Sequence, residues 1–240
     1  MADAVTSQTL LDTEKKCIFK FTNISDGTGE ANVKKIDVST LTWAKHTITL
    51  SGAASPNFKI GEVLTVGAEH YLVVGFTAGA STVEVVGWDN TNKKATAIDA
   101  SSSSSDAVSG GVSGSNTRTY SSIAEQDYEL LVTKIMWATI GCQVGIEWDG
   151  SGAEKYIGEF GGNGVWNMSQ NELPGIPINA TGDSGNVLGD IQFSTADQAG
   201  TDSYTIIMEC KKQAPGYDIP QYEQNAVLGY PVDFKLGNFT

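Results

Sequence analysis

The chain has 240 residues, is 40% hydrophobic and carries a formal net charge of -13, with Arg118 as its only arginine. This length is enough to bury a core without disulfide or metal staples. Binding to a phosphate backbone depends on clustered Lys and Arg, so the charge argues against nucleic acid as a partner. No apolar run reaches the roughly 18 to 20 residues of a membrane-spanning helix. The first eight residues also lack the pattern of a signal peptide, so we expect assembly in a cytoplasm.

The N-terminal part predicts an arm followed by a β-hairpin. Residues 1–12 are small and polar and have no clear periodicity, so we expect an extended arm. Residues 17–22 alternate between apolar and polar positions, as a half-buried strand does. Residues 25–29 supply two glycines for a turn, and an extended pattern resumes at residues 33–38. The sequence therefore predicts that the two strands pair with each other.

The next block differs from its surroundings and is interpreted as an insertion. Residues 43–99 contain about four or five short apolar runs with tight turns between them, which is typical of a small barrel or sandwich. Residues 101–115 are rich in serine and glycine and predict a flexible linker. Residues 43–116 are thus predicted to form an inserted β-subdomain with its linker.

Strand patterns then resume, beginning with a second hairpin. Residues 128–137 are apolar on both faces for part of their length, which fits a central strand. Residues 142–148 alternate strictly and end in the turn sequence of residues 149–152. Residues 156–160 are the predicted return strand, and residues 161–182 are predicted to be a long loop.

The closing segments complete the predicted architecture. Residues 187–193 and 203–211 are interpreted as a closing pair of strands, and residues 214–240 as an extended C-terminal tail. No amphipathic helix pattern is present. We therefore expect an all-β chain: an antiparallel, jelly-roll-like β-sandwich formed by residues 1–42 and 117–213, with an inserted small β-barrel and extended terminal arms.

Apolar and aromatic side chains in the arm, the predicted loop and the tail are the candidate partner-binding residues. An extended tail with spaced aromatic residues can bind along a neighbour, or it can fold back on its own domain, and both alternatives are open. The candidates are Leu10, Leu11, Trp166, Tyr217, Tyr222, Tyr230, Phe234 and Phe239.

The residue types needed for catalysis or metal binding are present but poorly spaced. Cys17, Cys142 and Cys210 form no Cys-x-x-Cys pair and each lies in an apolar alternating run, so we interpret them as core residues. His46 and His70 lack metal-ligand spacing, and no nucleophile elbow occurs. We therefore expect no catalytic residues, no metal and no cofactor, and hence a protein that is not an enzyme.

Three loops combine carboxylates with glycine and could in principle bind calcium. They are residues 26–30, 149–152 and 183–186. A calcium site needs six to eight oxygen ligands in a regular arrangement, and none of the loops has the EF-hand pattern. Turn formation explains all three, and we favour it.

Several segments carry a resemblance to a known class of protein. These segments are residues 2–12, 19–30, 148–149, 189–193 and 204–206. They resemble parts of virion structural proteins of tailed phages, notably marine ones. The likeness extends over residues 2–42 and 119–213 and stops at the predicted insertion and at the tail.

The resemblance implies a non-enzymatic particle component that is present in many copies. A capsid decoration (cement) protein is the first choice, which would bind the major capsid protein on the outer surface of the virion as a homo-oligomer, with a trimer as the expected state. A neck, tail or fibre-associated protein is the alternative in the same class. In a different class, a carbohydrate-binding module would hold sugar on Trp88 or Trp166.

Overall fold

The structure is a computed structural model that describes residues 4–51, 58–77, 79–98, 107–109, 118–125, 128–149, 155–168, 189–213 and 216–217. Within these residues the regular structure is β-strand, apart from one 3-10 turn at Val38–Thr40. All strand pairings given for them are antiparallel. The expectation of an all-β antiparallel fold is confirmed.

Fourteen strands are defined in the described part of the chain. They are β1 (Thr6–Asp12), β2 (Lys16–Asp26), β3 (Val33–Ile36), β4 (His46–Leu50), β5 (Val63–Val66), β6 (Glu69–Phe76), β7 (Thr82–Asp89), β8 (Lys94–Thr96), β9 (Ala107–Ser109), β10 (Arg118–Glu125), β11 (Glu129–Trp148), β12 (Lys155–Asn167), β13 (Ile191–Ala196) and β14 (Gly200–Gln213).

The first sheet joins strands from the N-terminal and C-terminal parts of the described chain, since β2 pairs with β14. Its strand order is β1-β2-β14-β11-β13-β3, and β12 pairs with β11 outside this path. Every second residue of β2 is buried from Cys17 to Asn23, as the two-residue period of a strand with one core face requires. The core beneath it includes Phe21, Phe193 and Ile206, and the Phe21 and Phe193 rings meet edge to face at 5.0 Å.

Strand β11 is long because it belongs to both halves of this sheet. It pairs with β14 up to Ile140 and with β13 from Gln143 onward. β12 pairs with β11 both before and after the register shift that lies between Ala138 and Gln143. Between the pairings with β14 and β13 lies Gly141, which has a φ of +75°. A Cβ atom there would collide with the Asp202 carboxylate, so glycine satisfies both the backbone angle and the close approach.

The second sheet closes on itself. Its order is β4-β10-β9-β5-β6-β7-β8, and β4 pairs in addition with β7. This extra pairing makes a six-stranded ring with β8 attached to β7. The interior of the ring is apolar and includes Ile48, Leu64 and Val85, each of them fully buried. The predicted inserted β-barrel is confirmed.

The limits of this second sheet differ from those expected. Residues 118–125 were assigned to the main domain, but β10 pairs with β4 and β9 of the closed sheet. The serine- and glycine-rich segment is therefore followed by one more strand of the barrel. The change of sheet along the chain falls between β10 and β11.

Two of the predicted strand pairs are wrong. β2 does not pair with β3, because β1 and β14 lie on its two sides and β3 pairs with β13. Likewise β13 and β14 do not pair with each other, since both lie along β11. β13 and β14 run in the same direction along successive parts of β11, so the residues between them do not form a hairpin turn. The hairpin of β11 and β12 is confirmed.

Two segments predicted to be irregular form strands. The first twelve residues contain β1, which pairs with β2 along Thr6–Asp12. The predicted loop at residues 161–182 begins as strand, since β12 continues to Asn167. The strong glycine content of residues 158–164 hid this continuation, and residues 169–182 lie outside the described residues.

A small set of contacts joins the two sheets. The Tyr128 hydroxyl donates to the carbonyl of Lys45 at 2.9 Å and lies 3.3 Å from the His46 ring nitrogens. The backbone N–H of Lys45 donates to the carbonyl of Gly216 at 2.9 Å, and Ala44 forms an isolated bridge with Tyr217. The end of the described chain is thus packed against the segment that leads into the barrel.

Candidate interaction surface

Strand β1 is exposed along almost its whole length. Six of its seven residues are exposed and the last is half-buried. Leu10 and Leu11 are 53% and 38% exposed, although leucine is normally a core residue. Both were predicted as contact residues, and the structure places both at the surface.

Further apolar side chains lie on the outside of the same two strands. Leu11 pairs with Ile18, which occupies an outward position of β2, and Ile24, six residues further along β2 and beyond Lys20 and Thr22, is 54% exposed. We call Leu10, Leu11 and Ile24 the outer β1–β2 face. Residues 4–11 carry no charged side chain, which is unusual for a surface strand of a protein with a net charge of -13.

Among the strands that the structure describes, none pairs with the outer edge of β1, which we call its free edge. Ala4 and Ile24 exchange two hydrogen bonds, at 3.1 and 3.3 Å, and therefore form a hydrogen-bonded pair. In an antiparallel ladder such pairs alternate with pairs whose N–H and C=O groups point away from the partner. The backbone groups of Val5, Ser7 and Thr9 therefore point away from β2, and β1 ends the strand order of its sheet.

A cavity lies between this free edge and the other end of the sheet. It has a volume of about 110 Å³ and is lined by residues of β1, β2 and β3 and of the turn that follows β3. Phe19, Phe21, Ile36 and Leu41 give it an apolar floor, since all four are core residues. We call it the edge cavity. It lies where β1 and β3, the two ends of the strand order, approach each other.

A buried ion pair fixes the segment next to the cavity. The Lys35 ammonium donates to Glu30 Oε1 at 2.7 Å, and the side chains are 2% and 6% exposed. The Tyr204 hydroxyl donates to the other carboxylate oxygen at 2.7 Å, and Asn23 Nδ2 donates to Oε1 at 3.2 Å. A buried carboxylate held by three donors is a structural group, so Glu30 binds the segment after β2 to β14.

The same segment is tied to β13 through its backbone. The N–H of Glu30 donates to Thr195 Oγ1 at 2.7 Å, and the N–H of Thr195 donates to the carbonyl of Glu30 at 2.9 Å. Residues 19–30 and 204–206, two of the segments that carry the sequence resemblance, are therefore in direct contact through Glu30 and Tyr204. These hydrogen bonds hold together parts of the fold that are far apart in the sequence.

A second buried charge lies at the C-terminal end of β14. Lys212 is fully buried, and its ammonium contacts Asp12 and donates to the carbonyl of Thr42 at 2.6 Å. Burial lowers the pKa of Lys212 below its usual range, although the contact with Asp12 acts in the opposite direction. This lysine joins the end of β1 to the segment that leads into the barrel.

Tyr217 is not an exposed contact residue, contrary to the prediction. It is 1% exposed, its hydroxyl donates to the carbonyl of Val38 at 3.1 Å, and the Lys212 ammonium lies 5.3 Å from its ring. Of the two alternatives for the tail, packing on its own domain is the one found at this residue. Burial raises the pKa of the Tyr217 hydroxyl well above its usual range.

Trp166 is half-buried and packs against the core of the first sheet. Its ring lies 6.1 Å from that of Phe160, which in turn lies 4.9 Å from Trp137. The more exposed apolar residues of this hairpin are its neighbours, and Val165 is 60% exposed. These residues were missed because the segment was interpreted as a loop; strand alternation through residue 167 could have found them.

The remaining predicted contact residues are Tyr222, Tyr230, Phe234 and Phe239, and they lie outside the described residues. Trp88, the other tryptophan considered for sugar binding, is half-buried against a small cluster that contains Trp43 and Leu72. Neither Trp88 nor Trp166 is presented as a fully exposed ring.

The cysteines and histidines are dispersed in the fold. Cys17, Cys142 and Cys210 are buried free thiols, and Cys17 faces Cys210 across β2 and β14. His46 is buried at the junction of the two sheets, where burial lowers its pKa, while His70 is half-buried in β6. Among the described residues no group of three or more His, Cys, Asp and Glu side chains is placed to hold a metal ion.

The first of the three carboxylate loops is a hydrogen-bonded turn. The N–H of Thr28 donates to Asp26 Oδ1 at 3.0 Å, and the N–H of Gly27 donates to the Ser25 hydroxyl at 2.9 Å. Turn formation therefore accounts for this carboxylate. Residues 150–152 and 183–186 lie outside the described residues.

Within the part of the chain that the structure describes, no helix is long and apolar enough to span a membrane. No protein-family model matches the sequence, and no curated protein matches it significantly.

Proposed function

We propose that the protein is a non-enzymatic structural component of a tailed-phage virion, and that it binds the outer surface of the capsid as a decoration protein. The sequence resemblance is what supports the proposed class. The observation that supports surface binding is the outer β1–β2 face, where residues 4–11, which carry no charge, expose two leucines at the edge of a sheet.

The chemistry of this face suits a protein partner. Unprotected strand edges invite pairing and adjoining exposed apolar side chains mark contact sites, so we assign the contact to the two adjacent leucines at this edge. A leucine that becomes fully buried contributes about 1.5–3 kcal/mol. One such contact per copy is weak, but linked copies on a shell bind much more tightly than a single copy.

The charge distribution of the chain further limits the partner. A net charge of -13 repels acidic surfaces, so contact requires a neutral or basic surface around the apolar area. The major capsid protein is the proposed partner, and the neck, tail or fibre is the alternative location.

Binding to capsids that lack the protein tests the proposal. Purified protein is titrated onto such capsids, and bound protein is measured after sedimentation. We expect saturable binding of the wild-type protein, with many copies per shell. The affinity of Leu11→Asp should be lower by about tenfold or more, because a buried charge replaces an apolar contact. Val165→Asp is the matched control, since it places the same charge at an exposed apolar position on the β11–β12 hairpin.

The possible results separate the components of the proposal. If no saturable binding is found, the capsid is not the partner. If only a few copies bind per particle, the neck or tail replaces the shell as the location. If Leu11→Asp and Val165→Asp weaken binding equally, the outer β1–β2 face is not the contact.

A further inference from the structure

The free edge of β1 differs in charge from the other described strands at the margins of the two sheets. β3 and β8 carry lysines, and β12 carries Lys155 and Glu159. Charged side chains, lysine above all, keep an exposed edge from pairing with another chain. Residues 4–11 carry no charge, so among these margins the edge of β1 is the one that the sequence leaves open to pairing.

The backbone of this edge is complementary to itself. Its outward N–H and C=O groups belong to Val5, Ser7 and Thr9, which follow each other at intervals of two residues. If two copies meet antiparallel about a two-fold axis at Ser7, then Ser7 faces Ser7, and Val5 of each copy faces Thr9 of the other. Every one of these opposed pairs can exchange two hydrogen bonds, as alternate pairs of an antiparallel ladder do. The same strand therefore supplies both halves of the contact, which is what a two-fold interface requires.

The side chains on the core side of β1 suit the same pairing. Ser7 and Thr9 pair with Phe21 and Phe19, so their side chains lie on the core side, yet both are exposed and both line the edge cavity. Val5 is 42% exposed and shares this side because of the two-residue period of a strand. In the two-fold arrangement Val5 of one copy would lie opposite Thr9 of the other. The pairing would thus place an apolar side chain beside the mouth of the edge cavity and remove it from water.

The charge of the chain limits where two copies can meet. At a net charge of -13 they repel each other, so a contact needs surface without uncompensated acidic groups. In β1 the acidic residue is Asp12, which contacts Lys212, and the Asp37 carboxylate beside the edge cavity lies 3.8 Å from the Lys34 ammonium. Asp12 is five residues from Ser7, so in the two-fold arrangement the two Asp12 residues are about 34 Å apart, at about 3.4 Å per residue. This distance exceeds the Debye length of about 8 Å at physiological salt, so their repulsion is screened.

We propose that two copies of this chain pair antiparallel through the free edge of β1, about a two-fold axis at Ser7, so that their first sheets join into one. The contact is a dimer and not the trimer that the sequence resemblance implies, because a strand edge paired with itself closes after two copies. It is also small, so we expect a reversible dimer with a dissociation constant in the micromolar range. The inference does not rest on the proposed function, since the pairing uses the edge of β1 and is measured without capsids, whereas capsid binding is assigned to the outer β1–β2 face.

Analytical ultracentrifugation of the full chain over a range of concentrations tests the dimer, and opposite charges at Ser7 test the two-fold axis. Ser7→Asp and Ser7→Lys each bring like charges face to face, so each variant alone should dimerise about tenfold more weakly than the wild-type protein, or worse. An equimolar mixture of the two variants should regain dimers, because opposite charges then face each other, and a misfolded variant could not do this. Ser122→Asp and Ser122→Lys are the matched controls, since Ser122 is an exposed serine in β10 of the barrel, and both should dimerise as the wild-type protein does.

Three results would overturn the inference. A wild-type chain that stays monomeric up to about 1 mM would show that the edge does not pair with a second copy; slow hydrogen exchange of the Ser7 and Thr9 amides in that monomer would assign the edge to a segment of the same chain. A trimer would replace the two-fold contact by a different one. Weakening by only one of the two charges at Ser7, or a mixture of Ser7→Asp and Ser7→Lys that stays monomeric, would show that Ser7 does not face itself.

Discussion

The two sheets of this protein differ in their edge strands: one sheet closes into a ring and the other stays open. The barrel of β4 to β10 closes through the pairing of β4 with β7, so its main strands each have two neighbours. The first sheet is longer in sequence and joins strands from the N-terminal and C-terminal parts of the described chain, yet it leaves β1 and β3 as free ends of its strand order. Free strand edges invite pairing, and proteins usually protect them with charge or proline. β1 has neither before its last residue, Asp12, which is paired with Lys212, and this singles β1 out as a place where the molecule is open to a further contact.

The interiors of the two sheets differ as well. The barrel is filled by side chains such as Ile48, Leu64 and Val85. The first sheet contains two buried lysines, Lys35 and Lys212, each bonded to a carboxylate. Both ion pairs lie where distant parts of the chain meet. A buried ion pair adds little net stability but penalises any arrangement that separates its partners. The difference indicates that the open sheet depends on paired charges to hold its ends in register.

The largest effect is expected when the buried ion pair of the open sheet is broken. Glu30→Gln leaves the Lys35 ammonium buried without a counter-charge, which should cost about 3–5 kcal/mol of the free energy of unfolding. Chemical denaturation measures this. Glu209→Gln is the matched control, because the pairs of Glu209 with Lys16 and Lys134 are partly exposed and such pairs are worth about 1 kcal/mol or less. Equal losses in the two variants would contradict the structural role of Glu30.

In the closed barrel the loss should come from packing instead of charge. Leu64→Ala removes a fully buried side chain and should cost about 2–5 kcal/mol, by lost apolar contact and by the cavity left behind. A second substitution, Lys35→Met, should affect the stability of Glu30→Gln and of Leu64→Ala differently. Glu30→Gln should be partly rescued by Lys35→Met, whereas Leu64→Ala should be unaffected by it. Rescue of Leu64→Ala by Lys35→Met in denaturation experiments would show that the sheets are coupled more strongly than their few contacts indicate.

A smaller, pH-dependent effect is expected at the junction of the sheets. Burial lowers the pKa of His46 below 6.5, so in the window just below pH 6.5 the unfolded chain binds more protons than the folded chain. Stability should therefore fall as the pH is lowered from 7 through this window, and the contribution is fully present above it. His46→Phe removes the titrating group, and thermal melts between pH 7 and 5.5 should become flatter for this variant. Parallel curves for the variant and the wild-type protein would exclude His46 as the cause.

The fold class and the barrel could be predicted from the sequence because they depend on local patterns. Alternation in residues 142–148 and the turn after them indicated the β11–β12 hairpin, and short spaced runs indicated the barrel. Strand partners could not be predicted, because β2 is held by β1 and β14 and not by its neighbour β3. Pairing across nearly two hundred residues leaves no local signal.

The candidate site was predicted in part for the same reason. Leu10 and Leu11 stood out as apolar residues in a polar segment, and both are exposed. Tyr217 looked similar in the sequence but is buried, since it packs against Val38, far away in the sequence, and against the nearby Lys212. The edge cavity could not be predicted at all, because its walls come from β1, β2 and β3 and depend on where the sheet remains open.

Electron microscopy of intact particles tests the central proposal, that the open sheet binds the phage shell through the outer β1–β2 face. The two sheets differ enough in shape to orient the molecule in a density map, since only one of them is a closed ring. We expect density for many copies on the outer capsid surface, with Leu10, Leu11 and Ile24 facing the major capsid protein. Density confined to the neck or tail, or a shell contact made by the β11–β12 hairpin with β1 facing solvent, would contradict the proposal.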